Sequence, residues 1–130
     1  MQIENKLRQY AEQQPHKTAL ICGDVAYTYG QLWQDVTAKV DAMGDVKGRL
    51  VPLIATSTAD FLITYFAVHV AGAVAVPLHK DLPKSKLDEY SARLSRGSAP
   101  EGVADILFTT GTTGNAKAVM ISHQTIWANA

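Results

Sequence analysis

The sequence is poor in cysteine and has no excess of charge of either sign. Its single cysteine, Cys22, excludes an internal disulfide framework and any zinc site built from several thiolates. Cys22 lies in an apolar run, which predicts a small buried side chain. Lysine plus arginine and aspartate plus glutamate both number 12, so the formal net charge is zero. Because no basic excess can neutralise nucleic-acid phosphates, we expect no general nucleic-acid binding.

The N-terminus has no hydrophobic run of the kind found in signal peptides, so the expected location is the cytoplasm. Residues 61–78 are nearly all apolar, which raises the question of a membrane span. They include Gly72 and Pro77, so the pattern instead favours a helix ending at Gly72 and a buried strand over Ala73–Leu78. We therefore expect no membrane span.

Helical and extended patterns alternate along the chain. Helices are predicted over Ile3–Gln13 and Thr28–Met43, from Ser57 to Gly72, after Pro83, and from Ser122 or His123 onward. Strands are predicted at Thr18–Cys22, Val25–Tyr27, Arg49–Ala55, Ala73–Leu78, Asp105–Thr109 and Ala118–Ile121. This alternation predicts an α/β fold in which helices cover a mostly parallel sheet.

The scattered histidines His16, His69 and His79 have no metal-ligand spacing. His69 lies in an apolar helix, so a hydrogen-bonded core histidine is expected there rather than a ligand. Trp33 and Tyr65 stand at core spacing and are expected to pack.

One segment has residues suited to phosphate chemistry. From Ile106 to Lys117, a short apolar strand is followed by a loop with four threonines, two glycines and a lysine. Glycines allow close backbone approach, successive N–H groups form a concave anion site, and threonine hydroxyls can donate further hydrogen bonds. A Walker loop is excluded, because only two residues separate Gly111 from Gly114 and Lys117 follows Ala116. The residues alone leave two interpretations open, a phosphate site or an ordinary turn.

Residues 108–119, Phe-Thr-Thr-Gly-Thr-Thr-Gly-Asn-Ala-Lys-Ala-Val, resemble the phosphate loop of the adenylate-forming enzymes. That superfamily includes acyl-CoA synthetases, adenylation domains of nonribosomal peptide synthetases and firefly luciferase. Weaker matches at residues 27–32 and 70–78 stand in the family's order, and Ser122-His123 matches its Ser/Thr-His pair. Thr110 stands where the family has serine, Ala116 where it has proline and Ala118 where it has glycine.

The resemblance implies an ATP-dependent, AMP-forming ligase of the acyl-CoA synthetase type. Such an enzyme uses ATP and Mg²⁺ to activate a carboxylic acid as an acyl-adenylate. It then passes the acyl group to the thiol of coenzyme A or of a carrier protein. The resemblance assigns the ATP phosphates to Thr109, Thr110, Gly111, Thr112, Thr113, Gly114 and Lys117. His123 either faces the acyl pocket or is a helix-start residue without a role. No catalytic residue and no metal ligand are assigned.

The resemblance also implies that residues 1–130 are an N-terminal fragment of the family's large domain. The family's later Tyr-Gly-x-Thr-Glu segment, ribose-binding aspartate and catalytic lysine have no match here, so we expect this chain alone to be inactive. The segment from Leu78 to Asp105 is shorter than in many members. The alternative is a non-enzymatic, degenerate module that binds a nucleotide or a protein. A fragment is expected to expose apolar surface and self-associate, whereas a complete module is expected to be monodisperse.

Overall fold

A computed structural model describes residues 2–94, 99–110 and 116–129, with the side chains of residues 109, 110, 116 and 117 left out. Within these ranges the helices are α1 (Glu4–Gln13), α2 (Tyr29–Met43), α3 (Ala59–Val70), α4 (Lys84–Leu94) and α5 (His123–Asn129). The strands are β1 (Thr18–Cys22), β2 (Val25–Thr28), β3 (Leu50–Ala55), β4 (Val74–His79), β5 (Val103–Thr110) and β6 (Ala116–Ser122).

The main sheet of the described residues has the strand order β3-β4-β5-β6. Strands β3, β4 and β5 are parallel, with α3 and α4 as the crossovers between them, and β6 pairs antiparallel with β5. Strands β1 and β2 form a separate antiparallel hairpin. The predicted α/β fold with a mostly parallel sheet is therefore confirmed.

Helices cover both faces of the main sheet. Val74, Val76 and Leu78 alternate along β4 and pack with Leu94 of α4 and Ile106 of β5. The opposite face is formed by Leu53, Ala73 and Ala75, which pack with Val68 of α3. A parallel sheet buried on both sides requires this nearly continuous apolar composition.

A second layer of helices packs outside α3. Leu7 of α1, Leu32 and Val36 of α2, and Ile63 and Ala67 of α3 form one buried cluster. The β1–β2 hairpin contacts this cluster through Ala19 and Tyr27. The N-terminal helix is thereby held against α3. Lys6 of α1 also lies over the ring of Trp127 in α5, 5.5 Å from its centroid, so the two ends of the described chain meet.

Local signals in the sequence explain most element boundaries. Thr28 begins α2 through a reciprocal capping box, in which the Gln31 N–H donates to Thr28 Oγ1 and the Thr28 N–H donates to Gln31 Oε1. Pro52 is tolerated in β3, because β3 is an outer strand whose described pairing is with β4 alone. The observed bounds equal the predicted ones or differ from them by one or two residues.

The expectation that Cys22 is a buried side chain is wrong. Cys22 is only half-buried, and its Sγ lies 3.6 Å from the carbonyl oxygen of Ser57. The reason is that the β1–β2 hairpin is covered on one side only, as the 71 % exposure of Ile21 and the 54 % exposure of Val25 show.

The apolar stretch 61–78 divides as predicted, with α3 ending at Val70 and β4 beginning at Val74. Within the described ranges, no helix combines the length and the apolar content that crossing a membrane requires.

Candidate functional site

The threonine- and glycine-rich loop joins two strands of the main sheet. Strand β5 ends at Thr110 and β6 begins at Ala116, with these two residues paired across the hairpin. Thr109 is paired with Lys117 in the same register. Gly111, Thr112, Thr113 and Gly114 lie outside the described residues, as do the side chains of Thr109, Thr110 and Lys117. The structure thus fixes where the loop leaves and rejoins the sheet.

The loop follows the carboxyl end of β5. Because β3, β4 and β5 are parallel, Ala55, His79 and Thr110 end at the same edge of the sheet. Strand β5 lies between β4 and β6, so the loop leaves from the interior of the sheet rather than from an outer strand.

His123 lies at the other end of the β5–β6 hairpin. Ser122 caps α5, since the N–H of Thr125 donates to Ser122 Oγ at 3.1 Å, and His123 is the first residue of the helix. The N–H of His123 donates to the carbonyl of Gly102 at 2.9 Å. These contacts hold the half-buried ring at the amino end of β5, away from the loop.

The ring of His123 packs edge-on against the ring of His69, with centroids 4.9 Å apart. His69 is fully buried and bonds two carboxylates: Nδ1 lies 2.7 Å from Glu4 Oε1, and Nε2 lies 2.7 Å from Asp105 Oδ1. The hydroxyl of Tyr65 donates to the other Asp105 oxygen at 2.6 Å. We call Glu4, Tyr65, His69, Asp105 and His123 the buried polar cluster.

The end of α3 positions His69. Gly72 has φ +79°, and its N–H donates to the carbonyl of His69 while the Ala73 N–H donates to the carbonyl of Val68. This pair of bonds is the Schellman arrangement, for which a glycine is suited because it adopts positive φ without strain. It turns the chain from α3 into β4 and leaves the His69 ring between the sheet and α1.

The carboxylates set the charge of His69. Burial lowers the pKa of the imidazole, but the hydrogen bonds that its N–H groups donate to Asp105 and Glu4 outweigh burial and raise the pKa of His69 to about 9. Burial, together with the nearby positive His69, lowers the pKa of His123. Burial and the bond to Asp105 raise the pKa of Tyr65 well above its ordinary value. His69 is therefore cationic and Tyr65 neutral at neutral pH.

Two atoms of the buried polar cluster have no hydrogen-bond partner among the described residues. They are Glu4 Oε2 and His123 Nδ1, and both are buried. One ligand-type atom from each of Glu4, His69 and His123 lies within 4.8 Å of the others. His123 also lines a cleft of about 650 Å³ that Gln2 and Glu101 border.

The prediction that His69 is a hydrogen-bonded core histidine is confirmed. Its carboxylate partners, Glu4 and Asp105, were not predicted from the sequence. Asp105 is a charged residue in the otherwise apolar first part of β5, residues 103–108, and this pattern could have indicated a buried carboxylate. Glu4 gives no such signal, because an acidic residue in a first helical turn is ordinary. Tyr65 packs as predicted and also bonds Asp105, while Trp33 packs against the α1–α2–α3 cluster.

A sequence model described as AMP-binding enzyme matches residues 7–93, which is more than half of the chain. The chain belongs to the AMP-binding enzyme family. The expectation drawn from the phosphate-loop residues is thereby confirmed at the level of the family, and by a part of the chain that ends before the loop.

Individual proteins are similar to this chain at low sequence identity. Nonribosomal peptide synthetase tcpP of Claviceps purpurea is 25 % identical over 171 residues, covering 95 % of this chain and 8 % of that protein. The aligned length exceeds the 130 residues of this chain, so the relative has residues without a counterpart here.

Solved structures share the fold. The N-terminal subdomain of Klebsiella oxytoca NpsA, in complex with 3-hydroxyanthranilyl-AMSN, superposes with a TM-score of 0.78 at 23 % identity. The match covers 95 % of this chain and 41 % of that one. The O-succinylbenzoate coenzyme A synthetase MenE of Bacillus subtilis, in complex with AMP, gives a TM-score of 0.72 at 21 % identity, covering 89 % and 41 %. This AMP-binding family chain thus spans less than half of each solved structure.

Proposed function

We propose that residues 1–130 form the N-terminal part of the large domain of an AMP-forming ligase, and that residues 108–119 bind the phosphates of ATP. The observation that carries the proposal is the position of the loop, which follows the carboxyl end of the interior strand β5. In open α/β sheets, ligands bind beyond the carboxyl ends of the strands. The family match, obtained on residues 7–93, supports it independently of the loop.

The chemistry of the loop suits a polyphosphate. The pairing of Thr110 with Ala116 leaves residues 111–115 to connect the strands. In this segment and its flanks, backbone N–H groups and the hydroxyls of Thr109, Thr110, Thr112 and Thr113 are proposed to donate to phosphate oxygens, with Gly111 and Gly114 allowing close approach. Lys117 is proposed to add a positive charge. Donors held in place before reaction stabilise the charge that develops on a leaving pyrophosphate.

In the longer protein that we propose, a carboxylic acid would react with ATP, whose phosphates carry Mg²⁺, to give an acyl-adenylate and pyrophosphate. A thiol would then take the acyl group and release AMP. The name of the Claviceps purpurea relative favours a carrier-protein thiol, and the name of the Bacillus subtilis structure favours coenzyme A. No residue of this chain is assigned to Mg²⁺, which would arrive with the ATP phosphates. His123 lies at the amino end of β5, so its proposed role at the acyl pocket depends on residues beyond those described.

The test is a titration of the purified chain with Mg²⁺ and ATP, followed by calorimetry, for the unaltered chain and for Lys117→Ala. We expect Lys117→Ala to weaken binding about tenfold or more, because a hydrogen bond to a charged group contributes about 1.5–3 kcal/mol. Lys17→Ala removes an exposed lysine from the loop before β1, outside the main sheet, and is the matched control, with binding expected unchanged.

Equal binding by the unaltered chain and Lys117→Ala, or no binding by either, contradicts the assignment of the loop to ATP. The same preparations are tested for carboxylate-dependent exchange between ATP and pyrophosphate, where we expect no activity from this chain alone. Exchange by the 130-residue chain would show that the remainder of the large domain is not needed.

A further inference from the structure

The buried polar cluster leaves one oxygen of a buried carboxylate without a partner among the described residues. His69 lies between two carboxylates, with Nδ1 2.7 Å from Glu4 Oε1 and Nε2 2.7 Å from Asp105 Oδ1. Glu4 is 1 % exposed and its second oxygen bonds no described group. A buried, unpaired charge is costly, and proteins usually pair such a group or use it to coordinate a metal.

We propose that Glu4, His69 and His123 bind a divalent transition-metal ion of the Zn²⁺ class. Two imidazoles and one carboxylate are a donor set that zinc commonly takes, with its fourth position left for water or another ligand. Such an ion gives a partner to Glu4 Oε2 and His123 Nδ1, two buried atoms that have none among the described residues.

Asp105 and Tyr65 are outer partners of this site, on the side of the His69 ring that faces away from Glu4. His69 Nε2 faces Asp105 Oδ1, and Tyr65 donates to Asp105 Oδ2. A metal-bound histidine almost always donates its other ring N–H to a carboxylate, carbonyl or water, which fixes the ring and raises its basicity. His69 Nδ1, on the side of Glu4, is then the ligand atom, and the ion lies between these two groups.

The distances suit a small cation after modest adjustment. Ligands at about 2.0–2.1 Å around a tetrahedral zinc ion are about 3.3 Å apart. The candidate atoms lie within 4.8 Å of one another, so only small movements are needed. The 2.7 Å between His69 Nδ1 and Glu4 Oε1 widens slightly, and longer separations close. The cleft that His123 lines provides a route from solvent to the open position.

The site is separate from the phosphate loop. Asp105 and His123 lie at the amino end of β5 and Thr110 at its carboxyl end, five residues further along the strand. At about 3.3 Å per residue this separation is about 16 Å. The proposed metal site therefore does not depend on ATP binding by the loop, and the two can be tested separately.

The experiment titrates the EDTA-treated and dialysed full chain with Zn²⁺ by calorimetry, and with Co²⁺ by visible absorption. We expect one ion per chain and a Co²⁺ spectrum typical of four-coordination. His123→Ala leaves the bonds among Glu4, His69 and Asp105 in place and is expected to abolish the Co²⁺ band. Asp105→Asn is expected to weaken Zn²⁺ binding about 10–100-fold, as loss of an outer partner does. His79→Ala, an exposed histidine with 73 % side-chain exposure, is the control and is expected to bind as the unaltered chain does.

Histidine ring NMR of the unaltered chain provides a measurement that needs no variant. We expect Zn²⁺ to shift the rings of His69 and His123 and to leave those of His16 and His79 unchanged. Absence of stoichiometric binding, or binding that His79→Ala lowers and His123→Ala does not, overturns the proposal. The proposal is also overturned if Zn²⁺ shifts only the ring signals of His16 or His79.

Discussion

His69 holds a positive charge inside the molecule because carboxylates face both of its ring nitrogens. Removing one partner of a buried ion pair typically destabilises a protein by about 3–5 kcal/mol, since the other charge is left without compensation. The cluster also links α1, α3 and β5, so its protonation state bears on the stability of the whole chain.

We expect the metal-free chain to lose stability as the pH rises from 6.5 to about 9. His69 has an ordinary pKa of 6.5 and a pKa of about 9 in the folded chain, so the folded state binds more protons in this range. Its contribution is fully present below pH 6.5 and is lost as the pH rises through about 9. The loss approaches about 3 kcal/mol, from 1.36 kcal/mol per unit of pKa difference.

The measurement is urea unfolding at several pH values in the presence of EDTA. His123 acts in the opposite direction, because its lowered pKa means that stability falls as the pH drops below 6.5. The expected loss of stability above pH 6.5 therefore comes from His69 and not from His123. His79→Gln should keep the slope of the unaltered chain, and His69→Gln should flatten it. A flat profile for the unaltered chain would mean that His69 is neutral when folded.

At the level of single elements, the start of α2 depends on one reciprocal pair of hydrogen bonds. We expect Thr28→Ala to lower the free energy of unfolding by about 1 kcal/mol, because it removes the side-chain acceptor for the Gln31 N–H. Thr28→Ser keeps that acceptor and should cost less. Urea unfolding followed by circular dichroism measures both.

Thr37 provides the matched control for this substitution. It lies inside α2, where its hydroxyl donates to the carbonyl of Gln34. Since alanine has the higher helix propensity, Thr37→Ala should leave stability unchanged or raise it slightly. Equal losses for Thr28→Ala and Thr37→Ala would show that the capping bonds contribute nothing specific.

The elements were predictable from sequence because their signals are local. Thr28 with Gln31, Gly72 after α3 and Ser122 before α5 each act within a few residues, and each stands at the boundary that the sequence indicates. The buried polar cluster was only partly predictable. Glu4 and Asp105 lie 65 and 36 residues from His69, so their meeting depends on packing that no short pattern records. The prediction that Cys22 is buried was wrong for a related reason, because its burial depends on which elements cover the β1–β2 hairpin.

At the scale of the whole molecule, the two outer strands of the main sheet differ. Strand β3 contains Pro52, which cannot donate to a further strand and so discourages pairing at that edge. Strand β6 has no proline, and its Val119 and Met120 are 44 % and 53 % exposed. An unprotected apolar edge of this kind is a template for pairing with further chain. It supports the proposal that the described sheet is one part of a larger domain.

We therefore expect the chain to bind a hydrophobic dye and to self-associate through β6. Changing both Val119→Lys and Met120→Lys should reduce dye fluorescence and yield a monomer at concentrations where the unaltered chain associates, because lysine on an edge strand opposes pairing. Ile21→Lys makes the same change at a side chain that is 71 % exposed on the separate β1–β2 hairpin, and it should leave association unaltered. Sedimentation velocity and dye titration measure both effects. If the unaltered chain is monodisperse and binds little dye, β6 is not an open edge, and a complete, non-enzymatic binding module becomes the better interpretation of residues 1–130.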